Sequence, residues 1–258
     1  MGVGAGLAAF VAGGLAMERA SLPSPREVEL GDARVSIHLP VYNEEGWIEE
    51  TLRSLVNQPL YRKYGGRGIK IIVLDSSSTD RTVEIAERYA DAVLEVPRGK
   101  LNARHAGIEW DDADIVVAVD AGDFYPEGWL SALLGPFSDP GVVATHGPVL
   151  SRDPLYRVPT AWFNLVRPAR ELSGRNSAFR TRAYWEAGGF DLSVDQLDRR
   201  ELQAEEEFRF LDKLKKVGRV EFVWKAGMFK TERERPLTFE GDGRIERYRR
   251  EIAAGARF

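Results

Sequence analysis

VSIHLPVYNEEGWIEETLRSLVNQ (residues 35–58) and IKIIVLDSSSTDRTVEIAERYADAVLEV (residues 69–96) decide the fold. Each stretch opens with a short apolar run, turns through polar residues and continues at helical spacing. Residues 35–39 predict a strand, and Ile48, Leu52, Leu55 and Val56 share one face of a helix predicted over 44–57. Residues 69–74 predict a second strand, followed by a helix over 79–90 with Val83, Ile85, Ala86 and Tyr89 turned inward. The alternation continues with strands at 92–96 and 115–119 and helices at 102–108 and 128–134, then stops after Leu150. Strands separated by helices pair in parallel through right-handed crossovers, so the expected class is α/β: a Rossmann-like, mainly parallel sheet with helices on both faces. Such sheets bind ligands outside the carboxyl ends of their strands.

The polar residues fall where that rule puts a site. Pro40, Val41, Tyr42, Asn43, Glu44 and Glu45 follow the first strand, Asp75 to Asp80 the second, and Asp120, Ala121, Gly122 and Asp123 the fourth. Asn43, Ser78 and Asp80 are also the residue types that cap helices. Capping does not account for Asp120 and Asp123, because Phe124, Tyr125 and Pro126 separate them from the next helix. Two carboxylates on a tight glycine turn can aim oxygens at one hard cation that takes phosphate oxygens as further ligands.

Composition agrees with a soluble globular chain: 43% of residues are apolar and 29% charged. With no cysteine and only three histidines, a metal would be held mainly by oxygen. The net charge of −4 offers no global attraction to nucleic acid. Yet 28 of the 36 cations are arginine, which suits bidentate contact with phosphate.

In this order and spacing the motifs resemble family 2 of the glycosyltransferases, which has the GT-A fold. Residues 39–44, LPVYNE, resemble its opening strand motif; residues 75–82, DSSSTDRT, its acidic serine-rich turn; residues 99–107, GKLNARHAG, its basic segment; and residues 120–123, DAGD, its D-x-D element. The likeness extends over about residues 35–223 and implies a mixed, mainly parallel GT-A sheet in an inverting enzyme that uses a UDP- or GDP-sugar. Carried onto this chain, it implies nucleotide-sugar contacts from Pro40, Tyr42, Asn43, Glu44, Asp75, Ser77, Lys100, Arg104, Asp120 and Ala121. It also implies a divalent metal, Mg²⁺ or Mn²⁺, on Asp120 and Asp123, although Gly122 stands where the D-x-D pattern has its second acid.

Residues 173–180, SGRNSAFR, and 186–191, EAGGFD, resemble the family's acceptor side. Inverting transfer needs a base for the acceptor hydroxyl. The resemblance implies a Glu-Asp pair there, and counting back from Gly218 sets Glu206 and Glu207 on that pair, with Glu207, where the family has Asp, first as the base and Glu206 second; a two-residue shift reaches Glu205. Acids in the first turn of a helix also suit its dipole, so a solvated helix start is the competing account. Two other functions compete. Gly122 and the Glu in place of Asp suit a sugar-nucleotide-binding protein without catalysis, whereas a nucleotidyltransferase would want a basic glycine loop where Glu44 and Glu45 stand.

The expected organisation is an apolar segment and linker over 1–33, a GT-A domain over 34–230 (nucleotide-sugar half 34–150, acceptor half 151–230) and a charged amphipathic tail over 231–258. Gly2 to Met17 carries no charge but is shorter than a spanning helix and lacks the basic start of a secretory signal. It reads as a loosely packed tail or a membrane contact; Arg19 and Arg26 after it would keep the domain cytosolic. The expected location is thus the cytoplasm, free or at the cytosolic membrane face, with a glycan, lipid-linked or protein acceptor. His38 reads as a core residue, and His105 and His146 as site-edge residues. Trp162, Trp185 and Trp224 read as core packing with sugar stacking as the alternative.

Overall fold

The computed structural model describes residues 2–23, 27–166, 172, 174–197 and 200–231. In chain order the elements are α1 (Gly2–Ser21), β1 (Val35–Val41), α2 (Ile48–Val56), α3 (Pro59–Tyr64), β2 (Ile69–Asp75), α4 (Thr82–Ala86) and β3 (Ala92–Glu95). They continue with α5 (Lys100–Trp110), β4 (Ile115–Ala118), α6 (Trp129–Leu134), β5 (Val142–His146), β6 (Val149–Ser151) and α7 (Pro154–Val166). The last are β7 (Ser177–Arg180), α8 (Thr181–Glu186), α9 (Arg200–Val217), β8 (Arg219–Phe222) and β9 (Met228–Lys230).

The main sheet has the order β3-β2-β1-β4-β7-β5-β8, with β7 antiparallel to β4 and β5 and the other neighbours parallel. It is the mixed, mainly parallel α/β sheet expected. From β1 the chain builds outward through β2 to β3, then returns to the opposite side of β1 for β4. That reversal opens a crevice at the carboxyl ends of β1 and β4. Helices cover both faces of β1 and β2, so β2 is apolar on both, with Ile71, Ile72, Val73 and Leu74 lacking exposed surface; Ile37 and Leu39 are equally buried on one face of β1, whose other face carries the buried polar residues Ser36 and His38. Burying each such apolar side chain contributes about 1.5–3 kcal/mol. Pro40 is tolerated in a central strand for a simple reason. His38 O accepts from Val119 N–H, so Pro40 faces the same neighbour, but the β1–β4 ladder ends at His38–Ala118 and requires no donor beyond it.

Several element ends differ from expectation. β1 and β2 run on to Val41 and Asp75, which puts Pro40 and Asp75 at strand ends rather than in the turns. The helix expected over 79–90 is only Thr82–Ala86. Its predicted first turn makes other bonds: Thr79 N–H donates to Asn43, Arg81 N–H to Glu45 and Thr82 N–H to Asp80. The start of α2 likewise moves from Glu44 to Ile48 because the amides of Glu44 and Glu45 reach across to Thr82 and Asp80.

The apolar N-terminal segment is a helix packed on α7. Phe10 stacks on Trp162 with ring centroids 5.6 Å apart, and Trp162 Nε1 donates to Phe10 O. A Cβ on Gly13 would come within 2.7 Å of Trp162, and one on Gly14 within 2.6 Å of Val158, so the glycines permit the close approach. Buried Glu18 accepts Arg157 Nε through both carboxylate oxygens, at 2.8 and 2.7 Å. Among the described residues, no helix is long and apolar enough to cross a membrane. The expected tail lies, from residue 232 on, outside the described residues.

Candidate active site

Two loops at the β1 and β2 ends are stitched together. Asn43, at φ +52°, donates its N–H to Ser78 Oγ and accepts Thr79 N–H on its side-chain carbonyl at 2.8 Å. Asn43 and Ser78 thus tie the two loops together rather than capping helices, whereas Asp80 accepts Thr82 N–H at the start of α4 as well as Glu45 N–H from the opposite loop. Asp75 closes β2, buried, with Oδ2 accepting Ser78 N–H at 3.0 Å. Its other oxygen, Oδ1, is buried without a hydrogen-bond partner. Ser77 sits beside it at φ +62° and donates to Glu95. Tyr42 is half-exposed, and the Arg98 guanidinium lies 4.3 Å from its ring centroid.

The turn after β4 carries Asp120 to Asp123. Gly122 has φ +83°, a left-handed conformation that glycine adopts without steric cost. Thr51 Oγ1 accepts Gly122 N–H and donates to Asp123 O, which locks the turn against α2. Asp120 Oδ2 accepts Lys100 Nζ at 2.6 Å and Oδ1 accepts Arg104 Nη2 at 2.8 Å. Arg175 completes the cluster: its Nη1 donates to Asp123 at 3.0 and 3.1 Å, and its Nη2 lies 3.5 Å from Asp120. Burial acts to raise the Asp120 pKa, but the charges of Lys100, Arg104 and Arg175 outweigh it and hold the carboxyl well below the usual range. Tyr125 joins the pieces, its hydroxyl accepting Asp120 N–H and donating to Arg175 O.

The segment before β7 meets this cluster at Gly174. Glu207, on α9, accepts Gly174 N–H at 3.1 Å, and Gly174 O accepts Arg104, which in turn holds Asp120. A Cβ at 174 would lie 2.5 Å from Glu207 Oε1 and 2.6 Å from Arg104 Nη1, so only glycine lets these groups converge. Glu206 points elsewhere. It is buried, and its Oε1 accepts Asp191 N–H at 2.8 Å and Lys213 Nζ at 3.1 Å, anchoring the turn that carries Gly188 and Gly189 at positive φ. Of the two expected acids, Glu207 is brought to the Asp120 cluster and Glu206 is turned to Asp191 and Lys213; the Glu205 side chain lies outside the described residues.

The histidines stand apart from the cluster. His38 is buried in β1 with Nε2 2.9 Å from Ser36 Oγ. His105 pairs with the Tyr184 hydroxyl and the Trp185 ring, and His146 packs edge-on against Phe222. Trp162 packs on α1, Trp185 is half-exposed, and Trp224 meets Phe222. Thr51, Tyr125 and Arg175 join the site without a local signal in the sequence. Arg175 belongs to the SGRNSAFR motif, but nothing in its neighbours shows that a segment some fifty residues downstream folds back onto Asp120 and Asp123.

The sequence profile described as Glycosyl transferase family 2 matches residues 36–195, more than half of the chain. The chain belongs to that family. Among curated relatives, an uncharacterised glycosyltransferase of Haemophilus influenzae is 29% identical over 120 residues, 44% of this chain and 46% of its own length. Glycosyltransferase AglE of Haloferax volcanii is 32% identical over 123 residues, 45% of this chain and 39% of its own. The chain therefore spans less than half the length of these relatives. The mannosyltransferase PcManGT of Pyrobaculum calidifontis, solved with GDP-Man and Mn²⁺, superposes with a TM-score of 0.64 at 25% identity, over 90% of this chain and 68% of that one. Glucosyl-3-phosphoglycerate synthase of Mycobacterium tuberculosis, solved with UDP and Mn²⁺, superposes at 0.55 with 22% identity, over 92% and 80%, and shares the fold. This family 2 glycosyltransferase thus has the GT-A architecture, with its acids at the sheet reversal.

Proposed function

We propose that the chain transfers a sugar from a UDP- or GDP-sugar to an acceptor hydroxyl with inversion, and that Glu207 is the general base. The observation that carries this reading is the continuous link Glu207–Gly174–Arg104–Asp120, which sets one carboxylate of the acceptor half beside the cationic, acid-bearing pocket of the donor half. Glu207 takes the hydroxyl proton as the oxygen attacks the anomeric carbon, and the bond from that carbon to the diphosphate breaks with its electron pair on the phosphate oxygen. Attack opposite the leaving group inverts the centre. Lys100 and Arg104 neutralise the departing diphosphate. The buried, unpartnered Asp75 Oδ1 suits a nucleobase N–H, with Tyr42 and Arg98 offering flat surfaces beside it.

A divalent ion is the expected helper, and Mn²⁺ accompanies the two related structures above. The donor set here does not fit one. Among the described residues no three acids or histidines converge as ligands, and the carboxylate oxygens of Asp120 and Asp123 accept from cations of the chain itself. No step is assigned to a metal.

Incubating the protein with a panel of UDP- and GDP-sugars tests the reading, with thermal stabilisation as a first readout; ligand at a hundred times its Kd adds about 2.7 kcal/mol. Stabilisation by no nucleotide sugar would sink it. Asp75→Ala is expected to weaken nucleotide binding about tenfold or more by calorimetry, and an unchanged affinity would remove Asp75 from the base site.

A cytosolic location with membrane contact through residues 2–17 belongs to the same proposal. α1 packs on α7 by one face and exposes Phe10, Val11 and Leu15, with Phe163 of α7 alongside. One relative, from Pseudomonas aeruginosa, is named an undecaprenyl-phosphate 4-deoxy-4-formamido-L-arabinose transferase, which supports a lipid-linked acceptor. Co-sedimentation with anionic vesicles is expected and should drop for Phe10→Ser/Leu15→Ser; equal binding by both proteins would exclude this face.

A further inference from the structure

Arg175 occupies the position between the two acids of the β4 turn that a bridging cation would take. Its Nη1 lies 3.0 and 3.1 Å from the Asp123 oxygens and its Nη2 3.5 Å from Asp120. Its backbone is fixed to the same turn, because the Tyr125 hydroxyl links Asp120 N–H to Arg175 O. Two carboxylates alone would repel a diphosphate. Lys100, Arg104 and Arg175 beside them set three positive charges against the two negative ones of the turn, with Glu207 facing Arg175 from α9. Of these cations, Arg104 is buried at 2% side-chain exposure, while Lys100 at 30% and Arg175 at 34% stay partly exposed. A guanidinium presents several donors in a plane and can hold a carboxylate with one edge and a phosphate with another. Gly122 fits the same exchange, since the chain lacks a carboxylate there.

We propose that Arg175 stands in for a divalent ion at the donor site. Its guanidinium, held by Asp120 and Asp123, neutralises the donor diphosphate and the charge arriving on the phosphate oxygen as the sugar bond breaks, so donor binding and transfer need no metal. This rests on the glycosyl-transfer reading above. The cation serves only as a charge, and the proton still goes from the acceptor hydroxyl to Glu207.

The test is calorimetric titration of the full chain with UDP and with GDP, each in EDTA and in Mn²⁺. For the unaltered protein, the affinity of whichever nucleotide binds is expected to be the same in both conditions to within about threefold. Arg175→Ala should bind about tenfold or more weakly in EDTA, and regain affinity in Mn²⁺ once the acids are vacated; Arg175→Lys, which keeps the charge, should fall between. A purely structural role would lower the melting temperature without creating this new Mn²⁺ dependence. Binding by the unaltered protein that improves about tenfold or more with Mn²⁺ overturns the proposal and leaves the glycosyltransferase reading intact. Equal binding of Arg175→Ala and the unaltered protein in EDTA overturns it too. If neither nucleotide binds in either condition, the donor reading falls and takes this proposal with it. The comparison on the unaltered protein decides the matter even if Arg175→Ala does not fold.

Discussion

Glu207→Gln is expected to lower the transfer rate about 10²- to 10⁴-fold, the usual contribution of a positioned base, and to leave the nucleotide Kd unchanged. The amide keeps the size of the side chain and its carbonyl can still accept Gly174 N–H, so the link to Arg104 survives while proton acceptance is lost. Glu206→Gln is the informative control. Glu206 is 1% exposed and paired with Lys213, so its neutralisation should cost folding stability rather than chemistry; removing one member of a well-buried pair costs about 3–5 kcal/mol, and less here because the Lys213 side chain is 33% exposed. Turnover per folded molecule should therefore separate two adjacent glutamates, with denaturant melts reporting the other half of the contrast. Full turnover in Glu207→Gln together with its loss in Glu205→Gln would move the base two residues along the helix.

Acidification from pH 7 to pH 5 is expected to cost about 4 kcal/mol of folding stability, through two buried histidines, His38 and His146. Burial, with the Arg104 charge adding to it, pushes His38 down to about 3; burial and Lys215 push His146 down to about 4. Both are neutral in the folded chain throughout this range, whereas their unfolded counterparts take up a proton near pH 6.5. Because these folded-state values are depressed, the stability they contribute is fully present above pH 6.5. It declines as pH falls, by about 2 kcal/mol for each group at pH 5, and the decline stops below about pH 4 for His146 and pH 3 for His38. Urea unfolding at the two pH values reads this directly. His38→Asn should roughly halve the difference, and a loss under about 1 kcal/mol in the unaltered protein would refute the account.

Much of the sheet from β1 to β4 was legible because its signals are local. A fully apolar run such as residues 69–74 has few ways to satisfy its backbone except as a buried strand, and acids placed after such strands have to meet at one edge of a parallel sheet. Helix ends were less legible. Thr79, Arg81, Glu44 and Glu45 have helical neighbours in the sequence, yet their amides bond across to the opposite loop. Their partners lie 35 or more residues away, beyond any window of periodicity. The packing of the apolar start was hidden for a related reason. Glycines at 13 and 14 weaken a helix in isolation but permit the close contact with Trp162 and Val158 that holds this one in place.

The sequence by itself determined the α/β class, the family, and the strand-end acids Asp75, Asp120 and Asp123, because strand periodicity and short motifs are properties of neighbouring residues. Only the tertiary structure decided which glutamate meets the Asp120 cluster and which cation lies between Asp120 and Asp123. Glu206 and Glu207 are adjacent and chemically alike, and helix geometry turns them to different partners: Lys213 for one, Gly174 for the other. Arg175 reads as one arginine among 28 until the chain folds it onto the β4 turn. Charge acts through space over a few ångströms, so what sits beside a carboxylate is set by the fold rather than by order along the chain.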